Sequence, residues 1–248
     1  MNIKKHIPNA ITLGNLTAGL IALVYAFDNN IQMTFLWVCI GIFLDFWDGF
    51  LARKFNVAGP LGVQLDSMAD MVTSGVVPGV VMFKLLEQIT QSYSYNLSSE
   101  NFYMGIIPFL GFVISVASGY RLANFNIDTR QANSFIGLPT PANALFIVSI
   151  PLILEQTGGE GFFFNWFSSV WVLVFISFLS AFMLNANIPL FSLKIKANPW
   201  KENKAAVLFV LFSVLLLLVL QVTAIPFIII SYVLLSGVLN VLGNNAKV

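Results

Sequence analysis

Eight apolar stretches fill most of this sequence, at 8–27, 32–53, 66–87, 104–124, 141–156, 166–186, 204–222 and 225–243. Most are near the roughly 20 residues that cross a bilayer as a helix. Helix breakers and polar residues separate them: Asp28-Asn29-Asn30, Ala58-Gly59-Pro60, Asn96 to Asn101, Gly137 to Pro141, Gly158-Gly159, Asn185 to Pro189, and Pro226. Eight spanning helices use about 160 of the 248 residues, which leaves short loops and no room for a separate soluble domain. The expected fold is therefore an all-α polytopic membrane bundle of about eight transmembrane helices, one domain over residues 1–248. The fifth stretch is short enough to be tilted or partly interfacial. The seventh and eighth are so close that they should form a hairpin. A transmembrane β-barrel would alternate polar and apolar residues, and these runs are apolar throughout.

Composition narrows the function classes. Only 9% of residues are charged, against about 25% in a soluble domain, so a soluble enzyme and a disordered chain are both excluded. The formal net charge of +1 gives no general attraction to nucleic acid. Cys39 and His6 are the single cysteine and histidine. An intrachain disulfide, a thiolate metal cluster and a histidine triad are thus ruled out.

Charge distribution predicts orientation. With a cytoplasmic N-terminus, one side holds Lys4, Lys5, Arg53, Lys54, Arg121, Arg130, Lys194, Lys196, Lys201, Lys204 and Lys247, and the other only Lys84. The outer loops would carry Asp28, Glu87, Glu100, Glu155 and Glu160.

Against this low charge, Asp45, Asp48, Asp66 and Asp70 crowd into one short segment. An ionised carboxylate facing lipid costs about 2.5–3.5 kcal/mol on insertion scales, so these four should face a polar cavity with a cation. Asp45, Asp48, Gly49 and Ala52 follow i, i+3, i+4, i+7 and share one helix face. Asp66 and Asp70 are i, i+4 on the next helix, with Gly62 a turn earlier. The link between the two helices is short, so they should be antiparallel neighbours with the carboxylates facing each other near the cytoplasmic boundary. Such an all-oxygen set suits Mg²⁺ or Mn²⁺. Gly49 and Ala52 leave room for a ligand, and Arg53 offers a planar cation to phosphate. A cation path through the bilayer is the competing reading, but it should spread ionisable groups across the membrane depth.

The pattern Asp45-x2-Asp48-Gly49-x2-Ala52-Arg53-x8-Gly62-x3-Asp66-x3-Asp70 resembles the signature of the CDP-alcohol phosphotransferases at all eight fixed positions. The segments Pro8 to Asn15, Arg121 to Asn126 and Phe135 to Ala142 further resemble the bacterial phosphatidylserine synthase branch of that family. The resemblance covers roughly residues 8–142, with signature 45–70 and an acceptor-side loop 121–142; the C-terminal helices, 166–243, match mainly in hydropathy. It implies transfer of a phosphatidyl group from CDP-diacylglycerol to L-serine, with release of CMP, in the bacterial cytoplasmic membrane. It also implies a homodimer in membrane lipid, an active site facing the cytoplasm, and two divalent ions held by Asp45, Asp48, Asp66 and Asp70. Spacing alone leaves Asp66 and Asp70 equal as general base; the resemblance assigns Asp70. Gly49, Ala52, Arg53 and Gly62 would line the CDP part, and Asn9 and Thr12 could hydrogen-bond it. Arg121 is placed to pair with the serine carboxylate, with Asn124, Asn126 and the Gly137-Leu138-Pro139 turn framing the rest. Many relatives carry Ser or Thr where this chain has Gly59, so a hydroxyl contact to the nucleotide is missing there. Other acceptors (choline, glycerol phosphate) and a cation-coupled transporter are the alternatives.

Overall fold

Close helix packing in this protein begins with small residues. The first helix, α1 (His6–Phe27), buries Pro8, Thr12, Asn15, Gly19, Ala22 and Ala26, a stripe at helical spacing. Small residues let helix backbones approach, and this drives association in lipid, where apolar burial alone gives no preference. The computed structural model describes residues 6–96, 105–127, 135–190 and 204–245. After α1, Asn29 turns the chain with φ 56°. Asn30 caps α2 (Ile31–Lys54) by accepting from the Met33 N–H at 3.2 Å. The two helices lie side by side.

The third apolar stretch is longer than the hydropathy reading gave. Helix α3 (Pro60–Asp70) starts at the breaker itself, because Gly59 serves as N-cap and Pro60 fits the first turn, where its missing N–H costs nothing. A π-helical turn follows (Met71–Val76), and α4 (Val77–Asn96) continues from it. This continuous rod is the centre of the bundle. In its most apolar window 67% of residues are buried, against 11% in the C-terminal stretch. Met82 and Leu86 of α4 are fully enclosed.

A 3-10 turn (Ile107–Phe112) containing Pro108 leads into α5 (Val113–Ile127). Gly111 lies against the backbone of Phe83, and Ser115 against Gly79, so α4 and α5 cross closely. Next come α6 (Thr140–Gln156), a short α7 (Phe162–Phe167) and α8 (Val170–Asn185). The sixth stretch is thus split, and α7 was not foreseen. The ring of Phe163 in α7 lies 5.9 Å from that of Phe227. Two short strands, β1 (Phe135–Ile136) and β2 (Pro189–Leu190), pair antiparallel and were also unforeseen.

The last helices are α9 (Lys204–Leu220) and α10 (Ala224–Asn245). They form the expected hairpin. Gln221 takes φ 51°, and the rings of Phe209 and Tyr232, on either side of it, are 5.7 Å apart. In one straight helix they would be about 35 Å apart.

Among the described residues, four helical stretches are long and apolar enough to cross a membrane: His6–Phe27, Ile31–Lys54, Pro60–Gln91 and Val207–Val238. The bundle has two unlike ends. One carries Gln88 bonded to Asn29 at 2.9 Å, Gln32 bonded to Glu155 at 3.1 Å, and the Lys84–Glu87 ion pair at 2.6 Å. The other carries the aspartates. Arg130, Lys194, Lys196, Lys201 and Glu100 lie outside the described residues, as do Lys4, Lys5 and Lys247.

Candidate active site

The aspartates meet because two helix ends meet. Helix α2 ends at Lys54 and α3 begins at Pro60, so the chain reverses within a few residues and sets the last turns of one beside the first turns of the other. Carboxylate oxygens of Asp45, Asp48 and Asp66 lie within 4.8 Å of one another. Asp45 is also within hydrogen-bonding reach of Asp70. Asp70 stands outside the tight triplet but belongs to the same cluster.

The cluster is a poor arrangement for carboxylates on their own. Among the described residues none of the four forms a salt bridge. Asp48 is 4% exposed, and its Oδ2 has no hydrogen-bonding partner. Buried polar atoms are nearly always satisfied, and like charges this close repel strongly in a low dielectric. A hard divalent cation among the oxygens answers both problems. The donor set, three convergent carboxylates with a fourth alongside, fits such an ion.

The residues expected around the CDP moiety gather at this end. Asn9 sits over Gly62, where its Oδ1 would be 3.5 Å from an added Cβ. Gly49 leaves room for the Arg53 guanidinium to fold back, with Nη1 3.5 Å from where a Cβ would be. Arg53 is exposed at the end of α2 and Ala52 is half-buried. Thr12 donates to the Pro8 carbonyl at 3.0 Å and also stands beside Asp48. It is thus both back-bonded to its own helix and a neighbour of the acidic cluster.

On the acceptor side, α5 brings Arg121 next to Asp70. Arg121 is 7% exposed, and its Nε and Nη2 have no partner. Its guanidinium carbon lies 5.9 Å from the Phe125 ring centre, a favourable contact that does not satisfy an N–H. A buried guanidinium with two free nitrogens is a ready site for a carboxylate. Asn126 donates to Ser67 at 2.8 Å, which ties the end of α5 to the acidic face of α3. Asn124 is exposed.

The Gly137-Leu138-Pro139 turn is held elsewhere. Gly137 has φ 75°, and its N–H donates to Ile188 at 3.0 Å; Leu138 donates to Met183 at 2.9 Å. The turn is therefore anchored on the end of α8 and the segment just after it, and the Pro139 carbonyl accepts from the Asn143 N–H of α6 at 3.0 Å. Residues 128–134 of the acceptor-side loop lie outside the described residues.

Sequence reasoning gave Asn15 no role. It is fully buried, and its Nδ2 donates to Asp70 Oδ1 at 3.3 Å. Its Oδ1 accepts from the Thr73 hydroxyl at 2.9 Å. The available signal was a carboxamide on the small-residue stripe of a mainly apolar helix.

A family model described as CDP-alcohol phosphatidyltransferase matches residues 5–177. The chain is similar to a CDP-diacylglycerol–serine O-phosphatidyltransferase of Bacillus subtilis (strain 168), 35% identical over 147 residues, covering 58% of this chain and 73% of that protein. It is similar to a protein of the same description from Mycobacterium bovis, 27% identical over 215 residues, 84% of this chain and 68% of the relative. A third, from Helicobacter pylori (strain J99), is 32% identical over 148 residues, 59% of this chain and 57% of the relative.

Proposed function

The chain belongs to the CDP-alcohol phosphatidyltransferase family, and from that premise we propose that it transfers the phosphatidyl group of CDP-diacylglycerol to the hydroxyl of L-serine, giving phosphatidylserine and CMP. The observation that carries this reading is the pairing of two unlike features at one bundle end. Three carboxylates converge there with Asp70 alongside and with no salt bridge among the described residues, and Arg121 lies beside Asp70 with two unpaired nitrogens. The first feature suits a diphosphate and its metals; the second suits an acceptor that brings its own carboxylate. Three relatives named for serine support the same acceptor.

In this reading Asp45, Asp48, Asp66 and Asp70 hold two Mg²⁺ or Mn²⁺ ions. Bound ions of this kind supply positive charge against a diphosphate and its leaving group. Asn9, Thr12, Gly49, Ala52, Arg53 and Gly62 receive the CDP part. Arg121 binds the serine carboxylate through its free Nε and Nη2, with Asn124 and Asn126 beside it; Gly137 and Pro139 act only by supporting the acceptor side. Asp70 takes the serine hydroxyl proton. The serine oxygen bonds to the phosphorus that carries diacylglycerol, and the bond from that phosphorus to the CMP oxygen breaks.

The same proposal covers the setting. The chain is one membrane domain with about eight crossings, a reading supported by the eight apolar stretches of the sequence and by the fold-back of the C-terminal stretch at Gln221. The N-terminus and the aspartate end face the cytoplasm of a bacterial cell, as the lysine and arginine distribution favours. The working unit is a homodimer.

The test is CMP release by purified protein given CDP-diacylglycerol and Mn²⁺ with serine, choline, inositol or glycerol 3-phosphate in turn. CMP release that depends on serine is expected. Equal release with another acceptor, or serine flux into vesicles with no CMP at all, refutes the assignment.

A further inference from the structure

The cluster does not explain why Asn15 is buried in the middle of an apolar helix. Its carboxamide lies between Asp70 and Thr73, from two consecutive turns of the central rod. The direction of each hydrogen bond follows from the chemistry. A carboxylate only accepts, so Asn15 must offer it the NH₂ end. Its Oδ1 then points away and needs a donor, and the Thr73 hydroxyl supplies one. That hydroxyl lies 2.9 Å from Asn15 Oδ1 and 3.1 Å from the Asn15 backbone oxygen. It is bracketed on the donor side by α1 alone.

The fold supports this arrangement at several points. Thr73 lies within the π-helical turn directly after Asp70, and such turns recur at functional sites. The turn carries Thr73 into a slot between α1 and α2. A Cβ on Gly19 would collide with Thr73, and one on Gly41 would meet its methyl at 2.6 Å. The backbone carbonyl of Gly75, in the same turn, accepts from Ser115 at 2.9 Å. Asn15, Thr73 and the π turn are thus mutually fixed, and Asp70 Oδ1 is the atom they hold.

We propose that Asn15 and Thr73 are positioning residues that hold Asp70 by Oδ1 and so fix the orientation of its carboxylate toward the acceptor hydroxyl. This rests on the reaction proposed above. Neither residue touches substrate; both act through Asp70.

Thr73→Val keeps the shape of the side chain and removes the donor, whereas Thr73→Ser keeps the donor. Turnover, KM for CDP-diacylglycerol and thermal melting are measured for both, with Asn15→Ala as a third variant. Expected is a fall in kcat of about tenfold or more in Thr73→Val and Asn15→Ala, with KM for the CDP-lipid within about twofold of the parent. Thr73→Ser should stay within about threefold of the parental kcat. Equal kcat in the Val and Ser variants overturns the proposal. An infrared measurement reads the same contact without turnover. The carboxylate band assigned to Asp70 by difference against Asp70→Asn should shift in Thr73→Val and not in Thr73→Ser. An unshifted band in Thr73→Val defeats the positioning pair. A parent protein that releases no CMP defeats the proposed reaction instead, so the two failures are told apart.

Discussion

Asp48 Oδ2 is enclosed without a hydrogen-bond donor, and that one atom predicts how the protein responds to metal. Chelation should leave several carboxylates repelling each other, so EDTA should lower the melting temperature and Mn²⁺ should restore it. Asp48→Asn removes one charge and supplies a donor. It should melt higher than the parent in EDTA, and Mn²⁺ should stabilise it less than the parent. Asp70→Asn should cut turnover by about 10²–10⁴-fold, the range for loss of a general base. CDP-diacylglycerol binding, followed by its effect on melting, should be retained in part. Arg121→Ala should raise the KM for serine far more than that for the CDP-lipid; equal rises in the two would deny it the acceptor role. The aspartates were legible in the sequence because their partners lie on adjacent helices at helical spacing. Asn15 was not, because its meaning depends on Asp70 and Thr73, which only the tertiary fold brings to it.

At the scale of elements, helix contacts depend on residues without side chains. A Cβ on Gly111 would lie 2.6 Å from the backbone nitrogen of Phe83, an atom that cannot move without shifting α4. Gly111→Val should therefore destabilise the protein by about 1–3 kcal/mol, the range for overpacking, and thermal or denaturant unfolding in detergent would measure it. Gly237→Ala, inside α10 where nothing lies within 4 Å of the added Cβ, is the control and should not destabilise. Hydropathy made the helical rods legible, since lipid-facing residues such as Phe43, Val116 and Leu218 must be apolar whatever their neighbours are. It did not give the π turn, which arises where Thr73 meets the gap left by Gly19 and Gly41. Nor did it give the start of α3, where the same Gly59-Pro60 pair reads as a break and acts as a helix N-terminus.

For the whole molecule, the two ends differ in kind. One is closed by amide and ion-pair links among Asn29, Gln32, Lys84, Glu87, Gln88 and Glu155. The other gathers carboxylates and the arginines 53 and 121. If the aspartate end faces the cytoplasm, a cysteine at Asn56 in a Cys39→Ser background should react with a membrane-impermeant maleimide only in inverted vesicles. A cysteine at Asn29 should react only in right-side-out ones. The reverse pattern would turn the protein over. The family match stops at residue 177, and the C-terminal hairpin beyond it is the least buried of the spanning stretches. Its two-helix form was readable from the closeness of its two apolar runs, whereas the β1–β2 pair joins residues too far apart in sequence to be foreseen.

Because the acidic cluster lies at one end of the bundle, the proposed chemistry belongs to a single monolayer. The lipid arrives by sliding in the plane of the membrane, reacts at its head, and departs in the same sheet. The rate should therefore follow the mole fraction of CDP-diacylglycerol in the surface rather than its amount in the tube. The new lipid accumulates on the side where it was made, and any copy on the opposite face has to be carried there by other machinery.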